Sequence, residues 1–346
     1  MDRTLIVAPS WVGDAILAEP LVSMLREPCE EPAVDVIAPP WCAPVFHRMR
    51  GVRHVVDNPI GHGKLDFAGR RRIAADLRAE RHARAFVLPM SWKSALIPFL
   101  ARIPRRIGYR GEARWGLLND IRRLEPKALP RLVDRFCALA APAGTLVPTP
   151  PAPVLVPDTA NRDAALRALR LHGPGPVAVL CPGAEYGPAK RWPPTHFADL
   201  ARRLVDTGAR VWIIGSPNDK LAADAVMAAA GATAKSIRDL AGRTDLGTAI
   251  DLLSAASVVV SNDSGLMHAA AAVGVPVVAL FGSSSPVYTP PLSAQARVAR
   301  IDIACSPCFK RECPLGHFRC MRELSSELVY NLARASLPGT PAAPTR

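Results

Sequence analysis

Short apolar runs alternate with amphipathic stretches along almost the whole chain. In the first half, apolar runs at 5–8, 34–38, 54–57 and 85–90 predict strands. Stretches with helical periodicity follow them, from about 14 to 26 and at 43–49, 67–81 and 94–101. Pro20 cannot sit deep inside a regular helix, so the first of these helices is expected to be irregular or kinked. The second half repeats the alternation. Strands are predicted at 177–181, 211–215, 258–261 and 275–281, and helices at 158–171, 194–207, 220–230, 246–256 and 265–273. Strand–helix alternation of this kind predicts an α/β protein with parallel sheets covered on both faces. Residues 142–158 are rich in proline and lack periodicity, which marks a linker or domain edge. The expected division is a domain over 1–157 and a second over 158–346, the latter including a cysteine-rich segment at 305–320 and a C-terminal helix. Two such halves would leave a cleft between them, a common place for a ligand. No fixed-period repeat points to a solenoid or propeller.

Composition narrows this picture without redirecting it. A chain of 346 residues with 49% hydrophobic and 21% charged residues has room for two ordinary globular domains. No apolar run reaches the ~18–20 residues needed to cross a bilayer. The N-terminal stretch reads as a first strand rather than a signal peptide, so a cytoplasmic enzyme is expected. The formal net charge is +13, with 23 Lys/Arg against 15 Asp/Glu in residues 1–157 and 20 against 15 in the remainder. The excess is densest in Arg102-Ile103-Pro104-Arg105-Arg106-Ile107-Gly108-Tyr109-Arg110, followed by Arg114, Arg122 and Arg123. This run is either a solvated basic face or a surface that meets an anionic membrane or substrate. No nucleic-acid fold signature accompanies it, so nucleic acid is not an expected partner. Of eight cysteines, Cys29, Cys42, Cys137 and Cys181 lie among apolar neighbours and read as buried thiols. The other four form Cys305-x2-Cys308-x4-Cys313-x6-Cys320, with His317 beside them. In a cytosolic setting that cluster is a loop of reduced thiols or, as the less favoured alternative, a structural zinc site.

Candidate chemistry gathers at strand ends. Ser261-Asn262-Asp263-Ser264-Gly265-Leu266-Met267-His268 links a buried strand to a small-residue helix. Ligands bind at the carboxyl ends of parallel strands, and the first amides of a helix are unpaired donors that favour negative charge. Gly265 adds no side chain to block a phosphate there. The loop Pro182-Gly183-Ala184-Glu185-Tyr186-Gly187-Pro188-Ala189-Lys190-Arg191-Trp192-Pro193 carries a basic pair. That pair either neutralises a departing diphosphate or is simply exposed on a rigid loop. A further loop, Gly282-Ser283-Ser284-Ser285-Pro286, follows the last clear strand and is placed to complete the pocket. Asp219 caps the following helix or accepts ribose hydroxyls. In Pro9-Ser10-Trp11-Val12-Gly13-Asp14, the aspartate is a helix cap or a catalytic base held at a strand end. The usual dinucleotide, P-loop, nucleophile-elbow and zincin motifs are absent, which removes the anchors for dehydrogenase, NTPase, esterase-type and zincin readings.

Taken in order, the motifs Pro9 to Asp14, Leu117-Leu118-Asn119-Asp120, Pro182 to Pro193 and Ser261 to His268 resemble those of the ADP-heptose–lipopolysaccharide heptosyltransferases. The likeness runs through nearly the whole chain and is greatest to members that add the second heptose of the inner core. It implies two Rossmann-like domains facing a cleft (GT-B type). The implied reaction is inverting and metal-independent, from ADP-heptose to the first heptose of heptosyl-Kdo2-lipid A. By the same resemblance, Asp14 is the general base and Lys190 stabilises the diphosphate. Ser10, Glu185, Tyr186, Asp219, Asp263, Ser264, Gly265 and His268 bind the donor, and Lys93, Arg106 and Arg110 face the acceptor. No cofactor is required, and the implied location is cytoplasmic, peripheral on the inner membrane. The alternatives are a family member that adds the first or third core heptose, or a nucleotide-sugar epimerase on the same scaffold. More remote is a metal- or nucleic-acid-binding protein built around the cysteine cluster.

Overall fold

Strand–helix alternation builds two units, Met1–Val156 and Pro157–Arg346, in a computed structural model. The structure describes residues 3–26, 34–61, 63–142, 144–145 and 149–337. In the first unit the chain runs β1 (Thr4–Val7), α1 (Val12–Leu17), α2 (Glu19–Leu25), β2 (Val34–Ala38), α3 (Ala43–Phe46) and β3 (Val52–Asp57). It continues through α4 (Phe67–Ala79), β4 (Arg84–Val87), a 3-10 turn at Trp92–Ala95, α5 (Leu96–Leu100), β5 (Arg105–Tyr109), β6 (Asp120–Arg122) and α6 (Leu132–Ala138). The strands pair in parallel in the order β3-β2-β1-β4-β5-β6. Strands β1 and β2 are buried throughout, as a sheet covered on both faces requires. Leu5, Val7, Ile37, Ala85 and Val87 pack against Ala74, Leu77 and Ile97 from α4 and α5. The irregularity expected at Pro20 is a break between α1 and α2. Pro20 lies in the first turn of α2, where a missing N–H leaves no bond unmade.

The second unit runs α7 (Thr159–Ala168), β7 (Val177–Cys181), a 3-10 turn at Pro188–Lys190, α8 (Pro194–Asp206) and β8 (Arg210–Ile213). A 3-10 turn at Pro217–Asp219 leads into α9 (Lys220–Ala230), then β9 (Ile237–Asp239), α10 (Leu246–Leu253), β10 (Val258–Asn262) and α11 (Gly265–Ala272). β11 (Val277–Leu280), β12 (Ala296–Ala299), α12 (Arg319–Arg322) and α13 (Ser326–Arg334) complete it. Its parallel order, β12-β11-β10-β7-β8-β9, repeats the winding of the first sheet. In both, strand order reverses beside the first strand, between β1 and β4 and between β7 and β10. Such a switch point is where open α/β sheets bind ligands. Phe197, Leu200 and Leu204 of α8 join Val211, Ile213 and Val329 in the core. Trp192 donates its indole N–H to the Leu324 carbonyl at 2.8 Å and meets Phe197 edge-on.

Polar groups hold the chain between the two units to each of them separately. The carboxylate of Glu19, 2% exposed, accepts the Val154 amide at 3.0 Å, and Val156 N donates to the Arg48 carbonyl. In the second unit the buried Asp251 accepts the Asp158 amide at 2.9 Å and the Asn161 side chain at 2.7 Å, pinning α7 to α10. Strands β5, β6, β9 and β12 carry no clear apolar run. Two of them have only three residues, and β5 begins inside the basic run. Residues 143 and 146–148 of the proline-rich segment and Cys29 lie outside the described residues.

Candidate functional site

In the second unit the switch point is built by the loops that follow β7 and β10. Asn262, the last residue of β10, is fully buried and joins both ends of the β7 loop. Its amide nitrogen donates to the Pro182 carbonyl at 2.8 Å, and its oxygen accepts the Trp192 amide at 3.1 Å. Lys190 and Asp263 then meet at 2.5 Å, with side chains 17% and 4% exposed. Lys190 is aimed by the backbone before it. A Cβ at Gly187 would stand 2.5 Å from the Arg311 carbonyl oxygen, and that same oxygen accepts the Ala189 amide at 3.0 Å. The Tyr186 ring faces both Lys190 and Arg311, and its hydroxyl donates to the Phe309 carbonyl at 2.9 Å. Arg191 reaches back to the Ala184 carbonyl.

Asp263 leads directly into α11. Ser264 stands at the N-cap in an extended conformation without a side-chain capping bond. Its hydroxyl instead lies 3.1 Å from that of Ser261. The amides at the start of the helix are therefore not occupied by a cap, and Gly265 leaves space in front of them. His268 sits one turn in and is buried. Burial, aided by the Lys190 charge and opposed by Asp263, pushes its pKa down to about 4, so the imidazole is neutral at physiological pH. After β11, the buried hydroxyls of Ser283 and Ser284 have no hydrogen-bond partner.

Asp219 closes the turn before α9 rather than capping that helix. Its carboxylate accepts the Ser216 amide at 2.9 Å and hydroxyl at 2.8 Å in a reciprocal capping box. It also lies against two glycine backbones, because a Cβ at Gly183 or Gly215 would collide with it. Glu185 is exposed and touches the Asn218 side chain at 3.4 Å.

In the first unit, Ser10 and Asp14 follow β1, and Lys93 follows the neighbouring β4. The N-cap of α1 is Trp11, so Asp14 is not the cap but a half-buried carboxylate in the first turn. It faces Cys42, whose thiol is pushed up to about 12 by burial and then by the Asp14 charge. The Ser10 carbonyl accepts the Trp41 indole N–H at 2.9 Å. Lys93 donates to the Gly63 carbonyl at 2.7 Å. Two arginines hold these loops, Arg70, which the sequence does not single out, and Arg114, which it places only in the basic run. Arg70 bonds the carbonyls of Leu65 (2.6 Å), Lys93 (3.0 Å) and Lys64 (3.3 Å). Arg114, 1% exposed, bonds those of Pro89 and Tyr109. Nothing in local sequence separates an inward arginine from an outward one, since the carbonyls that hold it come from distant turns.

The basic run is only partly a solvated face. Arg106 turns inward to the carbonyls of Ile103 and Leu117 at 2.6 and 2.7 Å and lies over Phe99. Arg105 and Arg122 converge on Asp120 at 2.9 and 2.5 Å, and Arg110 lies exposed over Trp115. Asn119 accepts the Arg106 amide and donates to the Pro104 carbonyl, so the motif Leu117 to Asp120 fastens β5 to β6. Cys42, Cys137 and Cys181 are buried thiols. Cys305, Cys308, Cys313 and Cys320 line a common cavity with His317 and Ser283.

Two parallel sheets wound alike, each with charged loops at its switch point, form two Rossmann-like units, the plan of glycosyltransferases of the GT-B type. Residues 70–319 match glycosyltransferase family 9 (heptosyltransferase), and the chain belongs to that family. It is 41% identical over 342 residues to lipopolysaccharide heptosyltransferase 2 of Escherichia coli K12, covering 97% of this chain and 98% of that one. It is 44% identical over 306 residues to lipopolysaccharide heptosyltransferase 2 of Salmonella typhimurium, covering 86% and 88%. The solved structure of E. coli ADP-heptose lps heptosyltransferase II superposes with a TM-score of 0.85 at 39% identity, covering 96% of this chain and 98% of that one.

Proposed function

We propose that this enzyme transfers heptose from ADP-heptose to the first heptose of heptosyl-Kdo2-lipid A, adding the second heptose of the lipopolysaccharide inner core with inversion. The observation that carries the donor half is the Lys190–Asp263 pair beside the uncapped start of α11, at the switch point of the second sheet. Asp263 holds the Lys190 ammonium in place. The ammonium and the helix amides then stabilise the negative charge that grows on ADP as the sugar–phosphate bond breaks. Ser264, Gly265 and neutral His268 surround the phosphates, and Glu185, Tyr186, Asp219 and Ser10 complete the donor's surroundings. Asp14, on the other unit, takes the proton from the acceptor hydroxyl as it attacks the anomeric carbon. This scheme assigns charge stabilisation to Lys190 and helix amides, with no cofactor taking part.

The first unit binds the acceptor, whose phosphates and carboxylates suit its net positive charge. Arg110 is exposed and presents its charge outward, whereas the Lys93 ammonium is held by one carbonyl and the Arg106 guanidinium by two. The place of work is the cytoplasmic face of the inner membrane. Arg110 over exposed Trp115 combines cation and aromatic as interfacial contacts do. Among the described residues, no helix is long and apolar enough to cross a membrane. The test is mass spectrometry of acceptor incubated with enzyme and ADP-heptose. One heptose added to the one-heptose acceptor, and none to bare Kdo2-lipid A, is expected. Addition to the bare acceptor would assign the first core heptose instead, and acceptor-independent conversion of the donor would assign an epimerase.

A further inference from the structure

We propose that Cys305, Cys308, Cys313 and Cys320 form a thiolate site for one zinc-class divalent ion, which orders the segment that positions the Lys190 loop. The cysteine spacing alone left reduced thiols as the simpler reading. The fold adds that all four side chains line one cavity of about 20 Å³, room for roughly one water-sized body. His317 and Ser283 share its wall, and the Ser283 hydroxyl, on a residue 1% exposed, has no hydrogen-bond partner. The cysteines come from three short pieces of chain. Cys305 lies in the turn closed by Ser306 N on the Ile303 carbonyl, Cys308 follows it, Cys313 opens a second turn, and Cys320 lies on α12. None of the four is in a disulfide.

Cys313 already has the backbone environment of a metal-bound thiolate. The Phe318 amide donates to its sulfur at 3.4 Å, across a turn closed by Gly316 N to the Cys313 carbonyl at 3.0 Å. Amide-to-sulfur bonds of this kind steady a ligating sulfur from outside the coordination sphere. Four sulfurs are the donor set of a closed, tetrahedral structural zinc. As they stand, no three His, Cys, Asp or Glu side chains among the described residues converge on a metal position. Binding therefore turns the sulfurs inward about their side-chain bonds, into the cavity they line.

This segment also buttresses the candidate site. The Ser306 hydroxyl donates to the Gly282 carbonyl at 2.7 Å, and Phe309 N to the Ser283 carbonyl at 2.7 Å. Tyr186 and Ala189 donate to the carbonyls of Phe309 and Arg311. An ion tying 305 to 320 thus stiffens both the 282–285 loop and the turn that carries Lys190.

The test uses the untagged full-length chain, purified under reducing conditions and freed of loosely held ions. Plasma mass spectrometry is expected to find about one zinc per chain, since closed thiolate sites hold their ion tightly. Cobalt(II) in its place is expected to give the visible spectrum of a tetrahedral thiolate complex. Cys305→Ser and Cys308→Ser, both at half-exposed positions, should lose the metal while keeping their circular dichroism. Cys137→Ala should retain it. A strong chelator should lower the Tm of the parent chain and leave that of Cys308→Ser unchanged. No retained metal, either as purified or after anaerobic reconstitution with zinc, would overturn the proposal. So would full metal content in both serine variants, or two disulfides in the freshly isolated chain. Metal content is read without substrate, so this result stands or falls apart from the heptosyl-transfer reading.

Discussion

The two sheets share one winding, yet their switch points are held in different ways. In the second unit, side chains lock one loop to the next: Lys190 to Asp263, Asn262 to both ends of the β7 loop, and Tyr186 and Ala189 to the 305–320 segment. Under the proposed reaction, cations and amides fixed in this way suit the stabilisation of a leaving diphosphate. In the first unit, loops are tied by arginines and a lysine to main-chain carbonyls, through Arg70, Arg114 and Lys93. Large apolar side chains stay exposed there, Trp11, Trp41 and Trp115 among them. Under the same proposal, that arrangement suits a bulky amphiphilic acceptor better than a small polyanion. Equal topology fixes where a site lies, and the loop bonding decides what each site can hold.

The comparison is broken most severely at Asp14. Asp14→Asn is expected to reduce kcat by about 10³-fold, within the range for losing a general base, with ADP affinity nearly unchanged. Steady-state ADP release and calorimetry read these separately, and full turnover in this variant sinks the base assignment. Lys190→Ala should be almost as damaging, and in a second way. It leaves the buried Asp263 carboxylate unpaired, for a stability loss of about 3 kcal/mol by denaturant unfolding. Adding Asp263→Asn should recover stability but not turnover. Recovery of turnover would make the pair purely structural.

Acid should probe the second unit through His268. Its folded pKa of about 4 lies below the usual 6.5, so the unfolded chain takes up the proton first. The stability associated with the neutral ring is complete above pH 6.5 and is lost as pH falls towards 4, up to roughly 3 kcal/mol. His268→Gln should flatten Tm against pH in that window, and an unchanged slope argues against the assignment. The smallest effect is expected at the opposite end of the first sheet. Asp35 is held at about 2 because bonds from His82 and Arg53 outweigh burial, which alone would raise it. Its contribution is present above pH 3.8 and lost as pH falls through 2. Asp35→Asn should therefore cost about 2 kcal/mol near neutrality and leave kcat unchanged. A large fall in kcat would tie the amino ends of these strands to the chemistry.

Much of this was legible along the chain because it rests on local rules. Continuous apolar runs announced β1, β2, β7, β10 and β11, and Pro20 announced the break between α1 and α2. The motifs around Asp14, Lys190 and Asp263 stood out because glycine, proline and charge gather where a strand gives way to a helix. The edge strands β6, β9 and β12 are hidden in the sequence, since a short strand beside solvent needs no apolar run, and β5 is hidden because it begins inside the basic run. In sequence the basic run reads as a solvated face or an anion-meeting surface, whereas Arg106, Arg114 and Arg122 reach inward to carbonyls and to Asp120. The capping alternative for Asp14 also failed, because the α1 cap falls at Trp11.

The sequence by itself determined the α/β alternation, the two-part division and the residue types at each strand end, all set by periodicity and turn chemistry within a few residues. Only the tertiary structure decided that β7 and β10 are neighbours, and hence that Lys190 meets Asp263 across 73 positions of chain. It likewise decided which arginines are structural and that four cysteines share one cavity. Each of these is a pairing between distant segments, and such pairings follow from sheet order and packing, which no local pattern encodes.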